Sequence, residues 1–224
     1  MAEPFDLVIF DCDGVLIDSE GLSCAIEAEV LTEFGFPLTP EEVRDSFVGL
    51  SLARELDLIA ERFGRRPSDE VVAAIHARNR SVFAASLQPT PGIHDLLDRL
   101  TLPRCVASSS APERLRFTLG LTGLYDRLQP HIFSATMVKN GKPAPDLFLY
   151  AAAAMKADPA QCLVIEDSAV GVAAGKAAGM TVVGFTGGSH CAPGHGDKLY
   201  TAGADRVVAQ IGEVNGIVDI FSAI

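Results

Sequence analysis

Short uninterrupted apolar runs recur along the chain: LVIF (7–10), CVA (105–107), CLVI (162–165), TVVGF (181–185) and RVV (206–208), each ending at a polar or glycine-containing turn. Runs of this length read as strands buried on both faces, the pattern of a parallel sheet. Between them lie stretches with helical character: HDLLDRL (94–100), PERLRFTLGL (112–121), APDLFLYAAAAM (144–155) and SAVGVAAGKAAG (168–179). Strand alternating with helix predicts an α/β fold, a doubly wound, Rossmann-like parallel sheet. Residues 18–88 break the alternation, reading as helix almost throughout: LSCAIEAEVLTEFGF, TPEEVRDSF, SLARELDLIAERF and SDEVVAAIHARNRSVFAASL. Thr39 with Glu42, and Ser68 before Val71, have the look of helix N-caps. The organisation expected is a core of residues 1–17 and 89–224, with a small all-helical cap of residues 18–88 inserted after the first strand and closed by QPTPG (88–92).

Composition narrows the classes of function. The 224 residues carry 18 Lys+Arg against 29 Asp+Glu, a net charge of -11, which disfavours nucleic-acid backbones and anionic membranes as partners. Five cysteines with no CxxC pair point to a reduced, cytoplasmic setting. MAEPFDLVIFDCDG lacks a basic region followed by a long apolar stretch, so neither a signal peptide nor a membrane span is expected. The chain is expected as a monomer or weak homodimer acting on a small molecule.

Chemistry concentrates at strand ends. The first apolar run ends in Asp11-Cys12-Asp13-Gly14, and side chains at i and i+2 share a side, so both carboxyls can face the crevice beyond the strand. Two crowded carboxyls invite a hard cation or push one pKa upward; an ionised Asp can attack phosphorus and a protonated neighbour can give its proton to a leaving oxygen. A simple Asp-Gly turn is the competing reading. Ser108-Ser109-Ser110 follows the second run, where hydroxyls and backbone N–H groups can hold phosphate oxygens or merely cap a helix. Lys142, between Gly141 and Pro143, can deliver a point charge to a phosphate or to Asp11. Glu166 and Asp167 end another buried run, and carboxylates there can serve Mg²⁺ or complement a helix N-terminus. Cys12 reads as a small core hydrophobe. His190, Cys191 and His195 in GGSHCAPGHG match no standard zinc spacing.

Taken in order, DCDGVLIDSE, VASSS, KPAPD and IEDSAVGVAAGKAAGM resemble the four motifs of the haloacid dehalogenase-like phosphohydrolases, in the branch with a helical cap, over essentially the whole chain. The resemblance implies that Asp11 is a nucleophile forming an aspartyl-phosphate and Asp13 the general acid/base. It also implies that Ser108 binds the phosphoryl group and that Lys142 neutralises it. Mg²⁺ would be held by Asp11, the Asp13 carbonyl and Asp167, with help from Glu166. Ser109 and Gly14 would border the substrate, and the cap would open and close over it. Ser23, Val48 and Leu52 stand where β-phosphoglucomutases of this branch are expected to carry a His, a Lys and an Arg, which counts against a phosphomutase. No Lys occurs in the cap to form the Schiff base of a phosphonate hydrolase, and dehalogenases lack the second Asp. Of the cap cations Arg44, Arg54, Arg78 and Arg80, Arg78 fits the position of a substrate-facing charge in related sugar phosphatases. The narrower similarity is to small-sugar phosphatases, including 6-phosphogluconate phosphatase-like proteins. The expected activity is Mg²⁺-dependent hydrolysis of small sugar or sugar-acid phosphates. The alternatives are a phosphomutase and a non-catalytic ligand-binding protein on the same fold.

Overall fold

The computed structural model describes residues 5–221. Six strands, β1 (Leu7–Phe10), β2 (Arg104–Ser108), β3 (Ile132–Ser134), β4 (Cys162–Glu166), β5 (Thr181–Phe185) and β6 (Arg206–Val208), form one sheet in the order β3-β2-β1-β4-β5-β6. All neighbouring pairs are parallel. Five strands coincide with the apolar runs. β3 was not anticipated: it is three residues long, lies at a sheet edge and pairs with β2 alone, so it needs no apolar run.

Alternation along each strand serves two helical layers, as the period of 2 requires. Val8, Phe10, Val106 and Leu163 pack with α5 (Ile93–Arg99), α6 (Pro112–Leu121) and the later α11 (Glu213–Phe221). Leu7, Ile9, Cys105 and Val164 face the other way, onto α8 (Asp146–Met155), α9 (Ala169–Ala177) and α10 (His195–Thr201). A one-turn helix, α7 (Tyr125–Leu128), precedes β3. Cys12 is fully buried in the first of these layers. α10 and α11 were not expected from the pattern, because GHGDKLYT opens on glycines and α11 is followed by no clear stop.

Four helices separate β1 from α5: α1 (Glu20–Glu33), α2 (Pro40–Phe47), α3 (Leu52–Phe63) and α4 (Asp69–Ser86). They enclose a core of their own around Leu31, Phe36, Val43, Ile59 and Ile75. Thr39 and Glu42 form a reciprocal capping box at α2. Ser68 sits at the N-cap of α4 without a side-chain capping bond. The chain leaves and returns at adjacent points: Asp18 N donates to Gln88 O at 3.0 Å and Thr90 N to Leu16 O at 3.0 Å. Strand order reverses between β1 and β4, so the carboxyl ends of β1, β2 and β4 open on the switch-point crevice where such sheets bind ligands. Among the described residues, no helix is long and apolar enough to cross a membrane.

Candidate active site

The ends of β1, β2 and β4 bring Asp11, Asp13, Ser108, Glu166 and Asp167 together, and Lys142 reaches them from the loop before α8. All six are buried. Lys142 Nζ lies at the centre, donating to Asp11 Oδ1 at 2.7 Å, Glu166 Oε1 at 2.6 Å and the Ala107 carbonyl at 3.1 Å. Three acceptors satisfy the three donors of an ammonium. Burial is the strongest influence on Asp11 and pushes its carboxyl well above the usual range, with Lys142 opposing. On Lys142 burial acts against the charge, but Asp11 and Glu166 outweigh it and hold the ammonium protonated.

Asp13 has different neighbours. Its carboxylate accepts from Ser19 Oγ and Ser110 Oγ, each at 2.7 Å, and from Arg114 Nη2 at 3.0 Å. Burial alone would raise its pKa; Arg114 and the two hydroxyls together overcome it and leave the pKa lowered. Two carboxyls two residues apart are thereby driven in opposite directions, Asp11 toward its neutral form and Asp13 toward its ionised form. Gly14 follows at φ 77, where a Cβ would overlap the Asp167 carboxylate, so glycine is what lets β1 end against β4.

Asp11, Glu166 and Asp167 each offer a carboxylate oxygen, and these atoms lie within 4.8 Å of one another. Asp167 Oδ2 is buried and paired with His190 Nε2 at 2.9 Å, and although burial opposes the charge, this contact helps push the His190 pKa up to about 11. A donor set made of three clustered carboxylate oxygens fits a hard cation such as Mg²⁺. Both oxygens of Glu166 are engaged, Oε1 by Lys142 and Oε2 by the amide and hydroxyl of Ser168, which leaves Asp11 and Asp167 as the freer ligands. His190, Cys191 and His195, irregular in spacing, do converge within 4.8 Å, and the two imidazoles bracket Asp167: His195 Nε2 is 2.6 Å from its carbonyl oxygen.

A cavity of about 510 Å³ opens from Asp11 and Asp13 toward the inserted helices. Ser108 and Ser109 line it, and Ser109 Oγ donates to the Gly49 carbonyl at 2.9 Å. Arg78 is not brought there. It lies on the other side of α4, paired with Glu33 at 2.7 Å and Glu29 at 3.4 Å, because positions two apart on a helix point to different faces. Arg80 lines the cavity instead, stacked over Phe117. Arg114, Glu20, Glu27, Glu55 and Asn79 also line it and were missed. Glu20 and Glu27, seven apart on α1, carried a readable signal; Glu55 and Asn79 depend on how the helical insert is seated, and Arg114 is brought in from α6 of the core by Asp13.

A family profile described as haloacid dehalogenase-like hydrolase matches residues 5–179. The 6-phosphogluconate phosphatase of Escherichia coli is 31% identical over 192 residues, covering 84% of this chain and 86% of that protein. The β-phosphoglucomutase of Bacillus subtilis is 29% identical over 220 residues, 92% and 90% of the two chains. The crystal structure of a haloacid dehalogenase-like protein of unknown function from Agrobacterium tumefaciens superposes with a TM-score of 0.83 at 36% identity, covering 96% of this chain and 98% of the other.

Proposed function

Because the chain belongs to the haloacid dehalogenase-like hydrolases and is a phosphoric monoester hydrolase, we propose that it removes phosphate from small sugar phosphates through an aspartyl-phosphate on Asp11. The observation that carries the reading is Lys142 held between Glu166 and Asp11, with Asp11 lining the cavity. Asp11 Oδ1 is bound to the ammonium, so its second oxygen is the one free to attack phosphorus in line with the leaving oxygen. Phosphoryl transfer has a loose transition state, and positioned positive charge is the main protein contribution. Lys142 supplies that charge, and Ser108 and Ser109 border the place of the phosphoryl oxygens.

Asp13 is the proton carrier. In the arrangement described it is an acceptor, held by Arg114, Ser19 and Ser110, ready to take the proton of water attacking the aspartyl-phosphate. The same carboxyl, once protonated, serves the leaving oxygen in the first half-reaction. Asp11, Asp167 and the Asp13 carbonyl would hold Mg²⁺, with Glu166 completing the acidic group. When bound, the cation supplies neutralisation of phosphoryl charge. A cytoplasmic location is part of the reading, supported by five free thiols, four of them buried.

The test is phosphate release from a panel of sugar phosphates with Mg²⁺ and with EDTA. Turnover should need the metal and fall roughly a thousandfold or more in Asp11→Asn, the scale of losing a covalent nucleophile. Isomerised sugar phosphate instead of free phosphate would identify a phosphomutase. Against that outcome stands Ser23, buried and hydrogen-bonded to Arg114 at 3.2 Å where the mutase histidine would fall.

A further inference from the structure

The loop after β5 carries a side-chain cluster that the reaction outlined above does not use. His190, Cys191 and His195 each present a ligand atom within 4.8 Å of the others, a group distinct from the carboxylates of Asp11, Glu166 and Asp167. His190 Nε2 stands 3.4 Å from Cys191 Sγ and 2.9 Å from Asp167 Oδ2. With bonds of about 2.3 Å to sulfur and about 2.0 Å to nitrogen or oxygen, a tetrahedron around Zn²⁺ has edges of about 3.5 Å for N–S and about 3.3 Å for N–O. The atoms are therefore spaced nearly as ligands already. His195 Nε2 donates to the Asp167 carbonyl at 2.6 Å, which leaves Nδ1 as the ligating nitrogen of that ring; outer hydrogen bonds set the tautomer of metal-binding histidines in the same way. The His190 ring is pressed between glycines: a Cβ on Gly188 would come within 2.7 Å of Nδ1 and Cε1, and one on Gly14 within 3.0 Å of Cε1. His190 is buried, whereas Cys191 and His195 are half-buried, which gives an ion a route in from solvent.

We propose that His190, Cys191 and His195, completed by Asp167, form a second metal site, specific for a thiophilic divalent ion of the Zn²⁺ class. Ligand chemistry separates it from the carboxylate group: a thiolate and two imidazoles select Zn²⁺ and its kin, whereas Mg²⁺ takes oxygens. Before an ion binds, the proton on His190 Nε2 balances the Asp167 carboxylate beside it; the dication takes that place and the proton is released. Burial opposes a charge on Cys191, but hydrogen bonds from His190 and His195 outweigh it and lower its pKa, so the thiolate that ligation needs is favoured in advance. Asp167 belongs to both groups, so occupancy of the thiolate site withdraws a ligand from Mg²⁺ and inhibits turnover. That consequence, unlike the site itself, rests on the phosphatase reading.

Co²⁺ titration of the reduced, EDTA-stripped protein reads the site without turnover. One equivalent should raise a thiolate-to-cobalt charge-transfer band with the visible bands of tetrahedral cobalt, and Zn²⁺ should erase both. Cys191→Ser should abolish the charge-transfer band. In Cys191→Ser and, independently, in His195→Gln, Zn²⁺ affinity measured against a chromophoric chelator should fall at least about a hundredfold, the upper end for losing even an outer partner of a metal site. No thiolate band in the wild type, a band that persists in Cys191→Ser, or Zn²⁺ affinity equal in wild type and both variants would each overturn the proposal. Zn²⁺ should also inhibit release of p-nitrophenol from p-nitrophenyl phosphate at fixed Mg²⁺, and about tenfold more Zn²⁺ should be needed in Cys191→Ser. Inhibition of equal strength in the two would put the ion among the carboxylates and overturn the coupling through Asp167. Absence of any turnover of this ester would sink the phosphatase reading, while a cobalt band lost in Cys191→Ser would still uphold the site and a missing band would refute it.

Discussion

Lys142 is the residue on which the acidic centre depends. Its side chain is 1% exposed, and it stands between Asp11 at 2.7 Å and Glu166 at 2.6 Å. Removing one partner of a buried charge cluster costs about 3–5 kcal/mol, because the remaining charge stays desolvated and unpaired. Lys142→Met, which keeps the volume and drops the charge, should lose that much stability when measured in EDTA. The pH dependence has a definite sign. Asp11 is already raised above its unfolded value by burial, against the opposing pull of Lys142, and loss of the lysine raises it further. A carboxyl whose folded pKa is raised destabilises the fold as pH climbs through it. Urea denaturation of the variant should therefore show a larger deficit against wild type at pH 8 than at pH 5; equal deficits would mean that Asp11 is not electrostatically dependent on Lys142.

At the scale of elements, the site is made by strand ends meeting helix starts, and the β4–α9 junction shows how tightly. Ser168 caps α9 by accepting from Gly171 N, while its own amide and hydroxyl donate to Glu166. A Cβ at Gly171 would overlap the Glu166 carboxylate itself. Gly171→Ala should push Glu166 off Lys142 and cost about 1–3 kcal/mol by overpacking. Gly120→Ala in α6, where nothing lies within 4 Å of the added carbon, should gain up to about 1 kcal/mol from helix propensity. Chemical denaturation of the two variants checks the contrast, and similar behaviour would refute the steric account. The same junctions explain what the sequence could disclose. β1, β2, β4 and β5 are apolar on both faces, and the residues after β1, β2 and β4 are the motif residues, so fold and acidic centre were legible together. β3 and α10 were not, being short elements held by neighbours instead of by pattern. Arg78 and Arg80 differ only in helix phase, and the phase of α4 is set by its packing through Ile75 and Phe83, a tertiary fact.

For the molecule as a whole, the question is how the helical insert meets the α/β core across the cavity. The linking segments cross at Ile17 and Pro89, and the turn between α2 and α3 reaches the far side. There Gly49, at φ 86, gives its carbonyl to Ser109 Oγ, and a Cβ on it would overlap the hydroxyl of Ser168. This turn thus seats the insert against both the serine loop after β2 and the cap of α9. The outlying pair Lys198–Asp45, at 3.3 Å on the surface, adds little. If closing the insert over the cavity excludes water and completes the site, an obstruction at Gly49 should impair catalysis beyond its effect on folding. Gly64 supplies the control: it has φ 69 and open space around its Cα, so Gly64→Ala carries the same left-handed backbone penalty of about 1–2 kcal/mol without the collision. Gly49→Ala should therefore lower the melting temperature at least as far as Gly64→Ala, and of the two only Gly49→Ala should lose roughly tenfold or more in kcat/KM for a sugar phosphate. Equal kcat/KM in the two variants would show that seating of this turn has no part in turnover, and would leave the Ser109–Gly49 bond a feature of the resting fold alone.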